Sequence, residues 1–296
     1  MTTQREEFEF SIYEKDDHVA RVILNRPDRL NALGREVYRD LMAGMELARN
    51  DDDVKVVIIK GNGRAFSAGH DLTQVGYVYG FGTGAPGERK PSQRTRIARD
   101  FDELIRRMNY VLLFPKVTIA QVHGTCAGGS RIVVECCDLT VVAEDAQITW
   151  AEERLGFASG FSLWSMLHLG PKKARELGLT GGELTGRQAY DLGWANRCVA
   201  FDQLESVTES LARVVSHQPR DGIAIGKAFR YLELEQLGIA STAKRALAHA
   251  MFTNLRWEPD EDNFYKLRRE MGTREAIHHL AKQFEVEDPS ETIDPQ

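Results

Sequence analysis

Two adjacent glycines stand where a strand-like run gives way to a short apolar helix, in the segment HGTCAGGSRIVVECCD (residues 123–138). Glycine has no Cβ, so a turn that contains Gly128 and Gly129 can bring its backbone N–H groups close to a bound group. A similar turn, GRAFSAGHDL (63–72), follows the strand-like run at 54–61. Two N–H groups aimed at one carbonyl oxygen form an oxyanion hole, although each turn alone also fits a packing role for its glycines.

The acid or base for such a site is missing at the second turn, where Arg131 and Ile132 follow the glycines. A third segment, DAQITWAEERLG (145–156), brings Glu152 and Glu153 after another short strand. Ligands of α/β sheets bind at the carboxyl ends of the strands. We therefore expect the three segments to meet at one site.

Other candidate motifs carry little weight. The pattern GTGAPG contains a literal GxGxxG, but Pro86 interrupts it and no strand precedes it, which argues against a dinucleotide site. Ser67, His70 and Asp71 are close in sequence, yet catalytic triads are assembled in space from distant segments. The four cysteines lack zinc spacing and are expected to be reduced packing residues, so no metal is predicted.

The elements that must position these segments change in character along the chain. Short runs rich in Val and Ile alternate with helical periods in the first half, which favours an α/β fold around a sheet buried on both faces. From about Gly160 the chain reads as helices, with one short strand at 195–200. The predicted strands are 8–14, 19–25, 54–61, 116–124 and 138–144, and the predicted helices are 30–50, 97–114, 130–137, 204–216, 222–238, 242–257, 260–272 and 273–285.

Composition narrows the class of protein. The net charge of -6 over 296 residues argues against broad nucleic-acid binding. No apolar run approaches the roughly 20 residues of a membrane span, and the charged N-terminus lacks the apolar stretch of a signal peptide. We expect a cytoplasmic protein with a disordered acidic tail at 286–296.

Four motifs in order make the sequence similar to the crotonase, or enoyl-CoA hydratase/isomerase, family. The motifs are LNRPDRLNAL (24–33), GRAFSAGHDL, VHGTCAGGS continuing through AEERLG, and GPKKARELGLTGGELTGRQAYDLGWANRCV (170–199), and the resemblance spans about residues 8–285. It implies a spiral of ββα units in a core at 1–200, and a helical C-terminal trimerisation region at 201–285. Homotrimers, or hexamers made of two trimers, are the implied assemblies.

The resemblance also implies an acyl-CoA thioester substrate, with coenzyme A as part of the substrate and no permanently bound cofactor. The backbone N–H groups of His70 and Gly129 would hold the thioester oxygen and stabilise an enolate. The residues implied in contact with substrate or coenzyme A are Arg26, Arg29, Leu30, Ala32, Ala65, Ser67, Ala68, Asp71, Leu72, Gly128 and Ile132.

One departure from the family concerns the catalytic acid. Hydratases of the family use two glutamates, and this chain has Ile132 at the first position and Glu152 at the second. One carboxylate can suffice, as in family isomerases and hydroxycinnamoyl-CoA hydratase-lyases. Alternatively, Glu135 could substitute, being one turn further along the same helix face; the favoured interpretation places it on the solvated or salt-bridged helix surface. Glu153 is expected to point away from the site.

A second departure is the lack of the basic segment that many relatives carry near the C-terminus. The basic run ERKPSQRTRIAR lies within a loop longer than in typical relatives. Arg89 and Arg96 are therefore weaker candidates for contacts with coenzyme A phosphates. The loop length also suggests a bulky acyl group.

The leading hypothesis is a 2-enoyl-CoA hydratase or dehydratase, a lyase with Glu152 as acid and base. A Δ3-Δ2 enoyl-CoA isomerase is the nearest alternative, because it needs one carboxylate. C–C bond hydrolysis and retro-aldol cleavage use the same enolate. A catalytically weak thioester-binding homologue is the non-enzyme alternative.

Overall fold

The computed structural model describes residues 4–74, 110–155, 163–238 and 262–283. The strands of these residues are β1 (Gln4–Glu7), β2 (Ser11–Asp16), β3 (Val19–Leu24), β4 (Val56–Gly61), β5 (Val117–Val122), β6 (Thr125–Ala127), β7 (Leu139–Ala143), β8 (Gln147–Thr149), β9 (Glu183–Thr185) and β10 (Arg197–Val199). The helices are α1 (Arg35–Asn50), α2 (Gly129–Cys136), α3 (Leu163–Thr180), α4 (Gly186–Asp191), α5 (Phe201–Ser216), α6 (Arg220–Gln236), α7 (Phe264–Met271) and α8 (Thr273–Gln283). Short 3-10 helices lie at Pro27–Arg29 and Glu153–Leu155.

Seven strands form the main sheet in the order β1-β2-β3-β4-β5-β7-β10. The strands from β3 to β10 in this order pair in parallel, whereas β1, β2 and β3 pair antiparallel. The run Val56–Ile59 in β4 is completely buried, as expected for a parallel strand covered on both faces. Because β4 and β5 are parallel neighbours, the turns that follow them emerge side by side at one edge of the sheet.

A small second sheet, in the order β6-β8-β9, brings two further turns together. The parallel register pairs Ala127 of β6 with Thr149 of β8. The N–H of Gly128 then donates to the Thr149 carbonyl oxygen at 3.1 Å. The turn before α2 therefore lies beside the loop that contains Glu152.

Helix α2 runs inside the protein rather than on its surface. Seven of its eight residues are buried, including the polar Ser130, Arg131 and Glu135. A buried charged side chain must be paired to offset its lost hydration. The chain accordingly places ion-pairing and hydrogen-bonding partners around this helix.

The last two described helices, α7 and α8, form a small apolar cluster of their own. Its buried members are Phe264, Leu267, Ala276 and Leu280, and partly buried side chains near the candidate site pack against them. Arg268 of α7 also donates from Nη1 to the Leu72 carbonyl oxygen at 2.9 Å. The C-terminal helices thus pack against the turn that follows β4.

The structure confirms the α/β fold with C-terminal helices, and it corrects the prediction of local structure near the N-terminus. The predicted strand at 8–14 starts too early: residues 8–10 form the turn between β1 and β2, where the Phe8 N–H donates to the Ser11 carbonyl oxygen at 2.8 Å, and β2 begins at Ser11. Strand β1 is fully exposed, and its sequence QREE has no apolar residue that would predict a strand. Strand β9, only three residues long, was not predicted.

Parts of the predicted organisation fall on residues outside the described ranges. They include most of the helix at 97–114, the helix at 242–257 and the tail at 286–296. The division into a core at 1–200 and an oligomerisation region at 201–285 stays a prediction. Within the described part of the chain, no helix is both long enough and apolar enough to cross a membrane.

Candidate active site

A buried asparagine holds the turn after β4 in shape. The side-chain amide of Asn31 donates to the carbonyl oxygens of Asn62 at 2.9 Å, Ala65 at 2.9 Å and Phe66 at 3.2 Å. In return, Ser67 Oγ donates to the Asn31 carbonyl oxygen at 2.8 Å. Asn31 has a φ of 53°, a conformation that asparagine adopts more readily than most residues. The RPDRLNAL segment therefore shapes the SAGHD turn.

An ion pair ties the same two segments together. Arg26 Nη1 lies 2.8 Å from Asp71 Oδ2. Burial acts to raise the pKa of Asp71, but hydrogen bonds from Thr73 and the Arg26 guanidinium outweigh it and lower the pKa below its ordinary value. Both charged side chains are thus engaged with each other, and their contact with coenzyme A stays a prediction.

The turns after β4 and β5 are joined by backbone hydrogen bonds. Ser67 N–H donates to the Thr125 carbonyl oxygen at 3.0 Å, and Ala127 N–H donates to the Ser67 carbonyl oxygen at 3.1 Å. Ser130 Oγ of α2 donates to that same Ser67 oxygen at 2.8 Å. These bonds fix the start of α2 against the SAGHD turn.

Three glycines lie where these turns meet, and an added side chain would clash at two of them and strain the backbone at the third. A Cβ on Gly69, whose φ is 83°, would lie 2.4 Å from the Ala127 carbonyl oxygen and 3.4 Å from the Gly129 nitrogen. Gly128 has a φ of 52° and a ψ of -124°, a conformation that disfavours side chains. A Cβ on Gly129 would lie only 2.2 Å from Cε1 of His70.

Gly129 therefore lies against the imidazole of His70, and its backbone nitrogen lies close to Gly69. Gly129 is the first residue of α2, and the first N–H groups of a helix have no intrahelical acceptor. The positive end of the helix dipole favours negative charge at this point. A helix start of this kind supplies a free N–H donor at Gly129, and the role of the His70 and Gly129 N–H groups stays a prediction.

A cavity of about 280 Å³ opens beside these two residues. It is lined by the turn after β4, the start of α2, the loop after β8, strand β9 and helix α8. Six of the predicted site residues lie in its wall, namely Ala68, His70, Leu72, Gly128, Gly129 and Glu152.

The side chain of Glu152 lies at the wall of this cavity. Its side chain is 27% exposed, and its Oε1 lies 3.7 Å from the position that a Cβ on Gly128 would take. Its Oε2 is buried and has no hydrogen-bond partner among the described residues. The predicted catalytic carboxylate thus stands next to the predicted oxyanion turn.

Glu135 is not on the helix surface, and that prediction was wrong. Its side chain is completely buried, and both of its carboxylate oxygens lie 2.9 Å from Arg131 Nη1. Its Oε1 also accepts hydrogen bonds from Ser165 Oγ at 2.6 Å and Trp194 Nε1 at 3.1 Å. The salt-bridged part of the interpretation is correct, but α2 is covered on nearly all sides, so the ion pair lies in the core.

Ile132 stands where the resemblance to two-glutamate hydratases predicts a glutamate. It is partly buried, packs against the main hydrophobic core, and is not among the described residues that line the cavity. The residue was predicted to contact substrate. The described part of the cavity wall does not include it.

The remaining predicted contacts lie elsewhere. Arg26, Arg29, Leu30, Ala32, Ala65, Ser67 and Asp71 lie in the two interlocked segments, outside the described cavity wall. Arg29 has a 63% exposed side chain. Arg89 and Arg96 fall outside the described residues, and the side chain of Glu153 is likewise not described.

The sequence prediction missed several residues of the cavity wall. Thr149 and Arg154 flank Glu152, Glu183 comes from β9, and Ile277 and Ala281 come from α8. The α8 residues lie more than a hundred positions from the catalytic motifs, so no local pattern marks them. The sequence analysis assigned no role to Arg131, although its spacing of four residues from Glu135 is typical of a helical ion pair.

The cysteines are consistent with a packing role. All four are free, and three of them are buried. Burial raises the pKa of Cys126 to about 12, which keeps its thiol protonated at neutral pH. Among the described residues, no group of three His, Cys, Asp or Glu side chains has an arrangement that could hold a metal ion.

Comparisons with known proteins show the family of the chain. Residues 14–260 match the enoyl-CoA hydratase/isomerase family. The chain is 33% identical over 227 residues to the EchA13 protein of Mycobacterium tuberculosis, covering 72% of this chain and 70% of that protein. It is 27% identical over 221 residues to the 1,2-epoxyphenylacetyl-CoA isomerase of Escherichia coli, covering 74% of this chain and 80% of the isomerase.

Solved structures agree with the fold. A crystal structure of an enoyl-CoA hydratase/isomerase from Xanthobacter autotrophicus matches with a TM-score of 0.79 and 30% identity, covering 95% of this chain and all of that one. An enoyl-CoA hydratase from Mycobacterium smegmatis matches with the same TM-score and 27% identity, covering 94% of each chain. The protein therefore belongs to the enoyl-CoA hydratase/isomerase, or crotonase, family of enzymes that act on CoA thioesters.

Proposed function

We propose that this protein is a 2-enoyl-CoA hydratase or dehydratase that stabilises a thioester enolate and moves protons with one carboxylate, Glu152. The observation that carries the proposal is the position of that carboxylate. Glu152 Oε1 lies 3.7 Å from the Cβ position of Gly128, the residue directly before the proposed oxyanion donor Gly129. The proposed proton-transferring group, Glu152, and the proposed N–H donor for negative charge, Gly129, thus line the same cavity.

The proposed reaction uses each group at a defined atom. The N–H groups of His70 and Gly129 donate to the thioester oxygen, on which negative charge grows as water adds to C3. One donor of this type contributes about 3–4 kcal/mol to the stability of a transition state. Glu152 accepts the proton of the attacking water and delivers a proton to C2, so the enolate collapses to the hydrated thioester. The reverse sequence removes water.

A single carboxylate is also compatible with a second reaction, the shift of a double bond by a Δ3-Δ2 enoyl-CoA isomerase. The observation that favours it is Ile132, which is apolar, partly buried and packed on the core where relatives with two glutamates have an acid. An isomerase moves one proton between C2 and C4 and needs no second group to position water. One of the relatives is named an isomerase.

We also propose where coenzyme A binds and which oligomer the protein forms. We propose that the RPDRLNAL segment contacts the coenzyme A moiety, with Arg29 as an exposed cation near its phosphates. The assembly proposed is a homotrimer or hexamer. Large apolar side chains stay exposed on α5 and α6, among them Val214, Phe229 and Leu232 at 63%, 62% and 56%, and such exposed apolar groups are typical of interfaces. Light scattering measures the assembly.

The reaction is tested by incubating the protein with linear, branched, aromatic and steroid-like 2-enoyl-CoA and 3-enoyl-CoA thioesters, followed by mass spectrometry. A gain of one water molecule in mass supports the hydratase. An unchanged mass with a new ultraviolet spectrum supports the isomerase and contradicts the hydratase. Shorter acyl fragments would contradict both and indicate C–C cleavage.

A further inference from the structure

Arg131 is a buried cation next to the catalytic carboxylate. Its side chain is only 2% exposed, and its Nη2 lies 3.7 Å from Glu152 Oε1. Its guanidinium carbon stacks over the Trp150 ring at 4.6 Å from the ring centre. Because α2 begins with Gly129, the residue that carries this cation lies two positions from the proposed oxyanion donor.

Glu135 and Ser165 hold the guanidinium in one orientation, and Trp194 supports Glu135. Nη1 donates to both Glu135 oxygens at 2.9 Å and to Ser165 Oγ of α3 at 2.7 Å. Ser165 in turn donates to Glu135 Oε1 at 2.6 Å, and Trp194 Nε1 donates to the same oxygen at 3.1 Å. A planar guanidinium fixed at one arm has a fixed direction at the other arm.

The two carboxylates that lie next to Arg131 differ in burial and in hydrogen bonding. Glu135 accepts hydrogen bonds from three side chains and is completely enclosed, so no substrate reaches it. Glu152 Oε1 lies 3.7 Å from the same cation, and the Glu152 side chain is 27% exposed and lines the cavity. Burial acts to lower the pKa of Arg131, but Glu135 and Glu152 raise it above its ordinary value, so the guanidinium stays charged.

We propose that Arg131 is a positioning residue that orients Glu152 against the substrate, and that Glu135 is the anchor that fixes Arg131. This inference rests on the proposed function of Glu152 as the proton-transferring group. Neither Arg131 nor Glu135 touches the substrate. The pair instead sets where the Glu152 carboxylate stands relative to C2 of the thioester, and a misplacement of about 1 Å can cost about a hundredfold in rate.

The test removes the pair together, since removal of one partner alone would leave a buried unpaired charge. The variant Arg131→Met/Glu135→Met keeps apolar volume in the core. Its readout is deuterium incorporation at C2 of butanoyl-CoA in D₂O, measured as a saturating rate and a half-saturating concentration. We expect the saturating rate to fall at least about tenfold while the half-saturating concentration stays within about threefold.

A matched control is available in the Arg21–Glu209 pair. This pair joins β3 to α5 with a nitrogen–oxygen distance of 2.5 Å and lies outside the described cavity wall. The variant Arg21→Met/Glu209→Met removes the same two charges from a partly buried site. We expect its exchange rate to stay within about twofold of the wild-type rate. A rate loss in Arg131→Met/Glu135→Met would then result from the changed position of Glu152 and not from the loss of an ion pair in general.

A third variant separates the failure of this inference from the failure of the proposed function. In a Glu152→Gln background, the Arg131→Met/Glu135→Met change is expected to cause no further loss of rate, because the residue it positions is already disabled. A wild-type rate in the Arg131→Met/Glu135→Met protein, with Glu152→Gln inactive, overturns the inference alone. A fully active Glu152→Gln protein overturns the proposed function and the inference with it.

Arg131→Lys keeps the test decisive if the double variant does not fold. Lysine supplies a cation for Glu135 but lacks the second arm that reaches Glu152. We expect a folded protein with a saturating exchange rate at least about fivefold lower and an unchanged half-saturating concentration. An unchanged saturating rate would show that Arg131 only stabilises the core.

Discussion

Replacing Gly129 by alanine places a methyl group where the His70 imidazole now lies. The added Cβ would stand 2.2 Å from Cε1 and 2.3 Å from Nδ1 of the ring. Ordinary contact begins at 3.4 Å, so the ring must retreat by at least the difference between 3.4 and 2.2, or 1.2 Å. The φ of Gly129 is not positive, so the backbone itself accepts alanine without strain.

We expect the retreat of the ring to displace the backbone of His70, whose N–H is proposed to bind the thioester oxygen. A shift of about 1 Å in a catalytic group can cost about a hundredfold, and the loss of one oxyanion donor costs about 10²–10³ in kcat. We therefore expect Gly129→Ala to lower kcat by about 10²–10³ while the protein stays folded. His70→Ala alone should keep most activity, because the donor is in the backbone.

The assay compares saturating rates of C2 deuterium exchange for the two single variants, their combination and a control. In His70→Ala/Gly129→Ala the new methyl group meets no ring, so we expect a rate at least about tenfold above that of Gly129→Ala. Gly226→Ala in α6 is the control, because a Cβ there would have no atom of the described residues within 4 Å. Circular dichroism and thermal melting verify the fold of each protein.

Two results would refute this reasoning. A double variant no faster than Gly129→Ala would show that the clash with the ring is not the cause of the loss. A loss of more than about a hundredfold in His70→Ala, about 2.7 kcal/mol, would mean that the imidazole itself takes part.

Three further predictions concern the surrounding charges. Arg131→Met leaves Glu135 buried without its cation, which should lower the free energy of unfolding by about 3–5 kcal/mol in urea titrations; an unchanged midpoint would contradict the burial of the pair. Because the pKa of Asp71 is lowered, its pairing stabilises the fold above pH 3.8 and is lost as the pH falls through the lower folded value. Asp71→Asn should therefore have a lower melting temperature than wild type at pH 7, and this difference in melting temperature should become smaller below pH 3.8. A difference in melting temperature that does not change with pH would contradict the ion pair. Arg29→Gln should raise KM for acyl-CoA at low salt, with less effect at high salt and an unchanged kcat; a salt-independent KM would remove Arg29 from the phosphate contacts.

The sequence predicts the sheet well because its strands carry strong local signals. Runs such as Val56–Ile59 are apolar without interruption, and the glycine turns after β4 and β5 mark where those strands end. Strand β1 has no such signal, because it is an exposed edge strand held by its pairing with β2. Strand β9 is held in place by the neighbouring β8 rather than by its own composition.

The candidate site likewise contains residues that local motifs predict and residues that they do not. Gly128, Gly129 and Glu152 lie in motifs that can be recognised locally, and the structure brings them to one cavity. Glu135 was misplaced because helical spacing shows which residues share a face and not what covers that face. Its cover comes from Ser165 and Trp194, both far along the chain.

Deuterium exchange at C2 of butanoyl-CoA by wild type and Glu152→Gln tests the central claim most directly. Formation of a thioester enolate removes a C2 proton, a step common to the hydratase and the isomerase, so the assay does not depend on knowing the natural acyl group. We expect wild type to catalyse exchange and Glu152→Gln to lose at least about 10²–10³ in rate, with unchanged melting temperature and binding of the thioester. Exchange by Glu152→Gln at the wild-type rate would contradict the assignment of Glu152 as the proton-transferring group.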